Sequence, residues 1–232
     1  MRGILYGIGV GPGDPELLTL KALRCIRESD CIILPSEPKE ECYAYNIVKR
    51  AYPQIDEKEI ICMPFPMIKD KSVLKQVHDE IYEGISRLLA ENKTVAFLTL
   101  GDPTVYSTYS YIHRRVIENG GRAAIINGIP SFCAAAAALG IFLGDNREEI
   151  HIIPGSYDIR RTLKLAGTRV YMKSGKNLSE LKKALLEEGD PDHTEVFTAS
   201  NCGMPNETVS IGLNNLDEDS GYLTIVIVKE KE

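Results

Sequence analysis

The chain has 232 residues, 44% of them apolar and 26% charged, the proportions of an ordinary globular protein with material for one large domain or two smaller ones. Its formal charge of −6 excludes a broad nucleic-acid footprint and confines any basic patch to a local site. Six scattered cysteines, Cys25, Cys31, Cys42, Cys62, Cys133 and Cys202, form no C-x-x-C pair and stand near no histidine at metal-ligand spacing, so they read as buried free thiols of a reducing cytosol. His78, His113, His151 and His193 are equally dispersed and read as surface or packed residues; no protein-bound metal is expected. Met1-Arg2-Gly3 shows no signal-peptide pattern, and the apolar stretch around Phe132 to Leu143 is too short to span a bilayer. A cytoplasmic chain with neither nucleic-acid nor membrane partner is expected.

Ile4 to Ile8 reads as the first strand, and it enters the turn Gly7-Ile8-Gly9-Val10-Gly11-Pro12-Gly13-Asp14 ahead of a helical stretch. This turn resembles a nucleotide-phosphate loop and fails the tests for one. Counted from Gly7, a dinucleotide fingerprint needs glycine where Pro12 stands; counted from Gly9, it needs a small residue where Asp14 stands. No Gly-Lys-Ser/Thr follows, and Asp14 as N-cap with Pro15 at the first helical position already satisfies the helix start. The glycines predict close backbone approach to something other than pyrophosphate.

Cys31 to Leu34, Glu59 to Met63, Val95 to Leu100 and Ala123 to Ile126 read as further strands. Before the fourth, Val77, Ile81, Ile85, Leu88 and Leu89 have helical spacing. Alternating strand and helix predicts a mostly parallel, doubly wound sheet with ligands outside its carboxyl ends. At that edge lies Gly101-Asp102-Pro103-Thr104-Val105-Tyr106-Ser107-Thr108. Asp102 is placed either to bind a ligand hydroxyl or ammonium group or to cap an Asp-Pro turn. Val105, Tyr109, Ile112 and Val116 read as the core face of the next helix, with Tyr106, Ser107 and Thr108 at its mouth. After the fifth strand, Asn127-Gly128-Ile129-Pro130-Ser131-Phe132 leads into an alanine helix with no polar face, predicted buried, with Ser131 as N-cap.

The charged stretch Gly144-Asp145-Asn146-Arg147-Glu148-Glu149 predicts a boundary between domains 1–143 and 144–232. Beyond it Ile150 to Ile153, Arg169 to Met172, Glu195 to Thr198, Thr208 to Gly212 and Tyr222 to Val228 read as strands. The last three are joined by short turn-rich segments, so this half is expected to be a mixed sheet ending in antiparallel strands. No Gly-x-Ser-x-Gly elbow or H-E-x-x-H is present, and Glu40-Glu41 and Glu148-Glu149 read as solvated pairs. No residue is assigned a catalytic role. An enzyme that mainly positions two reactive molecules has such a sequence.

The opening Gly9 to Ala22, the Gly101-Asp102-Pro103 turn and the Gly-Ile-Pro-Ser element at 128 to 131 together resemble the tetrapyrrole methylases, over essentially the whole chain. That resemblance implies two α/β domains, a mostly parallel five-stranded N-terminal sheet and a mixed C-terminal one, with the ligand cleft between them. It also implies S-adenosylmethionine as methyl donor, a small-molecule tetrapyrrole as partner, and a homodimer. Donor contacts carry over to Gly101, Asp102, Thr104, Val105, Tyr106, Ser131 and Phe132, and in the second domain to Met172, Asn201, Cys202 and Thr224. The opening loop, Gly11, Pro12, Gly13 and Asp14, falls on the tetrapyrrole side with Ser107 and Thr108. Phe65-Pro66-Met67, the run from Phe97 to Thr108 and the glycine-rich opening resemble the C20-methylating branch, acting on precorrin-2 or cobalt-factor II in cobalamin synthesis. Arg160, Arg161, Lys173 and Lys176 are candidate partners for substrate carboxylates or solvated charges. The rival readings are methylation at another position of a precorrin or of uroporphyrinogen III, a non-catalytic tetrapyrrole carrier, and a nicotinamide oxidoreductase disfavoured by the missing third glycine.

Overall fold

A computed structural model describes residues 3–66, 70–155, 157–173, 175–190 and 192–231. The chain divides into two compact units, Met1–Pro130 and Ser131–Glu232. In the first, β1 (Ile4–Gly9), β2 (Cys31–Leu34), β3 (Glu59–Cys62), β4 (Thr94–Thr99) and β5 (Ala123–Ile126) alternate with α1 (Leu20–Glu28), α2 (Tyr43–Ala51), α3 (Lys71–Ala90) and α4 (Tyr109–Glu118). They form one parallel sheet in the order β3-β2-β4-β1-β5. Period-2 side chains divide between its faces. Ile8, Ile32, Leu34, Ala96 and Leu98 pack with α1 and α2, while Leu5, Cys31, Ile33, Val95 and Phe97 pack with α3 and α4. The helices that follow β1 and β4, neighbours in the sheet, therefore leave to opposite faces. A change of helix direction between neighbouring strands marks the carboxyl edge at which α/β sheets take ligands.

The second unit holds α5 (Ser131–Leu139), β6 (Ile150–Pro154), α6 (Ile159–Thr162), β7 (Thr168–Met172), α7 (Leu178–Glu188), β8 (Thr194–Ser200), β9 (Thr208–Ile211) and β10 (Thr224–Glu230). Its sheet runs β6-β7-β10-β8-β9, with β6 and β7 parallel and the other pairs antiparallel. Tyr171, Val196, Val226 and Val228 pack under α6 and α7 around Leu178, Leu181, Ala184 and Leu185. No described helix is long and apolar enough to cross a membrane.

Three expectations are corrected by packing. The compact units divide at Pro130/Ser131, ahead of the boundary expected at 143/144, because α5 packs on β8, β9 and β10. The charged stretch after α5 is pinned to the same unit: Lys229 Nζ donates to the Phe142 carbonyl at 2.9 Å and pairs with Glu148 at 2.9 Å, whose other oxygen accepts from Thr168 Oγ1 at 2.7 Å. Burial alone raises the Glu148 pKa, but Thr168 and Lys229 more than offset it and hold the carboxylate below its ordinary range, so this residue is not a merely solvated charge. The alanine helix buries Ala134, Ala135 and Ala136 and leaves Ala137, Ala138 and Cys133 exposed. Cys25, Cys31, Cys42 and Cys202 are buried free thiols, as expected, and Cys62 is half-buried.

The close approach foreseen for the opening glycines is made among three backbones. A Cβ at Gly128 would lie 2.2 Å from the Gly101 carbonyl oxygen and 2.7 Å from the Gly9 carbonyl carbon, and a Cβ at Gly9 would lie 2.5 Å from the Gly128 nitrogen. These neighbours are main chain and cannot rotate away. Gly128→Ala is expected to lower stability by about 3 kcal/mol, measured by denaturant unfolding. Gly221→Ala, where an added Cβ meets nothing within 4 Å, should stay within about 0.5 kcal/mol of the parent chain.

Candidate active site

In the first unit the site is built where β1, β4 and β5 end. Parallel pairing of β1 with β4 carries on through Val10 N–H to the Thr99 carbonyl (3.0 Å). It then becomes an antiparallel bridge in which Gly11 N–H donates to the Gly101 carbonyl (3.2 Å) and Gly101 N–H to the Gly11 carbonyl (2.8 Å). Both glycines have positive φ, 79° and 71°, which a side chain would strain. Gly11, Pro12 and Gly13 are buried, leaving Asp14 half-exposed. Asp14 Oδ1 accepts from Glu16 N–H at 2.9 Å and caps a short 3-10 turn, Pro15–Leu17, instead of the helix itself. That helix, α1, starts at Leu20 and is capped by Thr19, whose hydroxyl accepts from Ala22 N–H at 3.1 Å.

Asp102 is 5% exposed, and all of its acceptor capacity is occupied. Oδ1 accepts from the Thr104 amide (2.7 Å) and hydroxyl, and Oδ2 from Asn127 Nδ2 (3.1 Å) and Gly128 N–H (3.0 Å). Burial by itself would raise the Asp102 pKa; the four hydrogen bonds outweigh it and hold the carboxyl below the usual aspartate range. Of the two readings of Asp102, the turn-bracing one has the geometry. Oδ1 closes the turn after β4, and Oδ2 ties that turn to the one after β5. Asn127 and Gly128 join the edge through this brace, and an Asn-Gly pair directly after a strand is their signal in the sequence.

Asp102 Oδ1 orients Thr104 and leaves it exposed, and Tyr106 projects with 43% of its surface free. Its φ of 48° interrupts the helical path, so α4 begins only at Tyr109 and Val105 belongs to the turn, not to the helix predicted for it. Ser107 Oγ accepts from Tyr109 N–H at 3.2 Å and lies 3.4 Å from Thr99 Oγ1. Thr108 occupies the N-cap position without a side-chain cap.

In the second unit, antiparallel register places the end of β7, the end of β8 and the start of β10 at one edge. Met172 closes β7 and accepts Gly155 N–H at 2.6 Å. Thr224 pairs with Ser200 in the ladder, and their hydroxyls lie 2.9 Å apart. Asn201 follows with φ 52° and donates its N–H to the Leu223 carbonyl at 3.1 Å. Met172, Asn201, Cys202 and Thr224 are thus brought together, and Ser200, a polar residue ending an apolar strand, stands beside Thr224. Cys202 is 6% exposed, and burial followed by the Glu207 carboxylate pushes its thiol up to about 12, so it is neutral and not a nucleophile at physiological pH. Ser131 and Phe132 open α5, both half-buried, with Ser131 the first helical residue and not the expected N-cap.

Arg160 pairs with Glu187 (2.7 Å) and Glu188, so its guanidinium is already engaged. Arg161 is exposed, and Lys173 Nζ sits 5.9 Å from the Tyr222 ring centroid. The Lys176 side chain and Met67 lie outside the described residues. No group of three or more His, Cys, Asp or Glu among the described residues is arranged to hold a metal.

The sequence profile of the Tetrapyrrole (Corrin/Porphyrin) Methylases matches residues 4–215. The chain belongs to the tetrapyrrole methylases. A relative from Methanocaldococcus jannaschii, a probable cobalt-precorrin-2 C(20)-methyltransferase, is 38% identical over 97% of this chain and 95% of its own length. The precorrin-2 C(20)-methyltransferase of a Sinorhizobium species is 26% identical over 97% of this chain and 95% of its own. Among solved structures, a cobalt precorrin-4 methyltransferase of cobalamin biosynthesis superposes with a TM-score of 0.77 at 19% identity, covering 97% of this chain and 94% of that one. A uroporphyrin-III C-methyltransferase from Thermus thermophilus complexed with S-adenosylhomocysteine superposes with a TM-score of 0.70 at 21% identity, covering 99% and 97%. The two-sheet α/β architecture is the family's.

The Asp102 carboxylate braces the edge of this methylase, and its removal has a signed pH signature. A pKa lower in the folded chain than in the unfolded one contributes stability that is present above about pH 4 and is lost as pH falls through the folded value. Asp102→Asn should lose about 2 kcal/mol at pH 7, because an amide NH2 then faces donors. In unfolding curves measured from pH 7 down to pH 3, the gap between parent and variant should close below about pH 4.

Proposed function

We propose that the protein is an S-adenosylmethionine-dependent C-methyltransferase that methylates C20 of a precorrin-2-type tetrapyrrole in cobalamin biosynthesis. The 38% identity along nearly the whole length of a cobalt-precorrin-2 C(20)-methyltransferase carries this reading, and it favours the cobalt-bearing substrate. When bound, the donor supplies an electrophilic methyl group on a sulfonium cation.

The residues suit such a donor. The run 101–108 contains no lysine or arginine to repel a sulfonium, its one carboxylate holds the backbone, and Tyr106 brings an aromatic ring, whose face attracts cations, to an exposed position beside exposed Thr104. In the first unit, Gly101, Thr104, Val105 and Tyr106 hold the donor through the braced turn, with Asp102 acting as a positioning residue. In the second, Ser131, Phe132, Met172, Asn201, Cys202 and Thr224 complete the set. Asp14, Ser107 and Thr108 meet the tetrapyrrole, with Gly11, Pro12 and Gly13 shaping the loop beneath. No side chain is assigned a proton exchange with the reacting carbon: the bound donor would supply the methyl group, its sulfur keeping the pair of the broken S–CH3 bond as the neutral thioether, and the electron-rich macrocycle would supply the pair for the new bond at C20 and recover it on releasing the C20 proton. The protein's contribution is orientation, and well-oriented reactants react as if at very high effective concentration. The same reading takes the enzyme to be a cytoplasmic homodimer with no protein-bound metal, and light scattering checks the dimer.

Radiolabelled methyl transfer to metal-free precorrin-2 and to its cobalt-bearing counterpart, assayed side by side, should place label at C20 of at least one, with the cobalt form preferred. Label accepted only by a different tetrapyrrole, or at another carbon, overturns the proposal. Tyr106→Ala, at an exposed position, should weaken calorimetric binding of S-adenosylhomocysteine about tenfold with little change in stability.

A further inference from the structure

The second unit carries a pocket that the donor and tetrapyrrole readings leave unused. It lies at the other end of the sheet from Met172, Ser200 and Thr224, where β7 begins and β10 ends, and has a volume of about 410 Å³, within the range of small-ligand sites. Arg169, 5% exposed, is among its lining residues. Nη1 donates to the Leu163 carbonyl at 3.0 Å, whereas Nε and Nη2 are buried and have no hydrogen-bond partner.

A buried guanidinium with two idle donors calls for an acceptor, and the geometry of the idle pair says which kind. Nε–H and one N–H of Nη2 project side by side from one edge of the guanidinium plane, the edge that receives two oxygens of a carboxylate or phosphate together. Neither acidic residue of the lining bonds the idle edge of Arg169. Glu230 accepts the Gly167 N–H at 3.0 Å, and Asp190 pairs with His193 at 2.9 Å. Exposed Lys164 and Lys231 raise the cationic count of the lining above its two carboxylates, in a chain whose net charge is −6. Leu163 and Ala166 add apolar wall, which lowers the local dielectric and strengthens a charge-assisted pair.

We propose that this pocket binds a small oxyanion, a carboxylate or phosphate group, gripped by Nε and Nη2 of Arg169 at the foot of β7. The site is separate from the donor edge and does not depend on which tetrapyrrole the enzyme methylates.

The test uses the full chain labelled with 15N, titrated in one arm with inorganic phosphate and in the other with succinate, while the arginine Nε–Hε resonances are followed. One resonance should shift saturably, be absent from the spectrum of Arg169→Lys, and give a 1:1 calorimetric stoichiometry; the arm with the tighter binding names the head group. Lys164→Glu, an exposed rim substitution, should weaken that binding several-fold and leave methyl transfer unchanged. The proposal is overturned if neither anion moves the Arg169 resonance, or if the folded Arg169→Lys variant binds as tightly as the parent. Should Arg169→Lys fail to fold, unaltered affinity in Lys164→Glu overturns it equally.

Discussion

One buried carboxylate organises the carboxyl edge of the first unit's sheet. Asp102 takes four hydrogen bonds from Thr104, Asn127 and Gly128, joining the turn after β4 to the turn after β5, while the Gly11–Gly101 bridge joins the turns after β1 and β4. A neutral acceptor would hold these donors less strongly, since hydrogen bonds to a charged group are shorter and about twice as strong as neutral ones. The burial that makes the carboxylate costly to ionise also makes its hydrogen bonds effective, and the lowered pKa is the net of the two.

That brace explains why three glycines converge. Gly9 and Gly128 approach each other and the Gly101 carbonyl more closely than a Cβ on either permits. Gly7 meets a related demand on the other face, where a Cβ would lie 2.0 Å from the Tyr109 ring; Tyr109 in turn donates to the Ala124 carbonyl at 3.1 Å. The glycine run is a packing device for its own sheet first, and the exposed residues of the edge, Thr104, Tyr106 and half-exposed Asp14, are held out from it. The second unit reaches a comparable edge by antiparallel register, with Ser200 and Thr224 paired by their hydroxyls and Asn201 in a left-handed conformation beside them.

Strand positions were legible in the sequence to within a residue or two throughout, from Cys31–Leu34 to Ala123–Ile126, because apolar β-rich runs bounded by turns are a local signal. The edges at which ligands are expected followed from the same alternation. What escaped was governed by contacts distant along the chain. The unit boundary fell before α5 because small alanines dock on β8 to β10, and Glu148 left the solvated class because Lys229 and Thr168 reach it. Val105 left the helix because Tyr106 adopts positive φ, a conformation that nothing in its local sequence demands.

The sequence by itself determined the family and the alternation of strand and helix, since each rests on residue types at short spacing. Only the tertiary structure decided what those residues do. It closed four hydrogen bonds on Asp102, engaged Arg160 with two glutamates, held the Cys202 thiol neutral and left one edge of Arg169 without an acceptor. The physical reason is common to all four: the role of a polar group is set by which donors, acceptors and low-dielectric walls surround it, and those neighbours come from segments far apart in the chain.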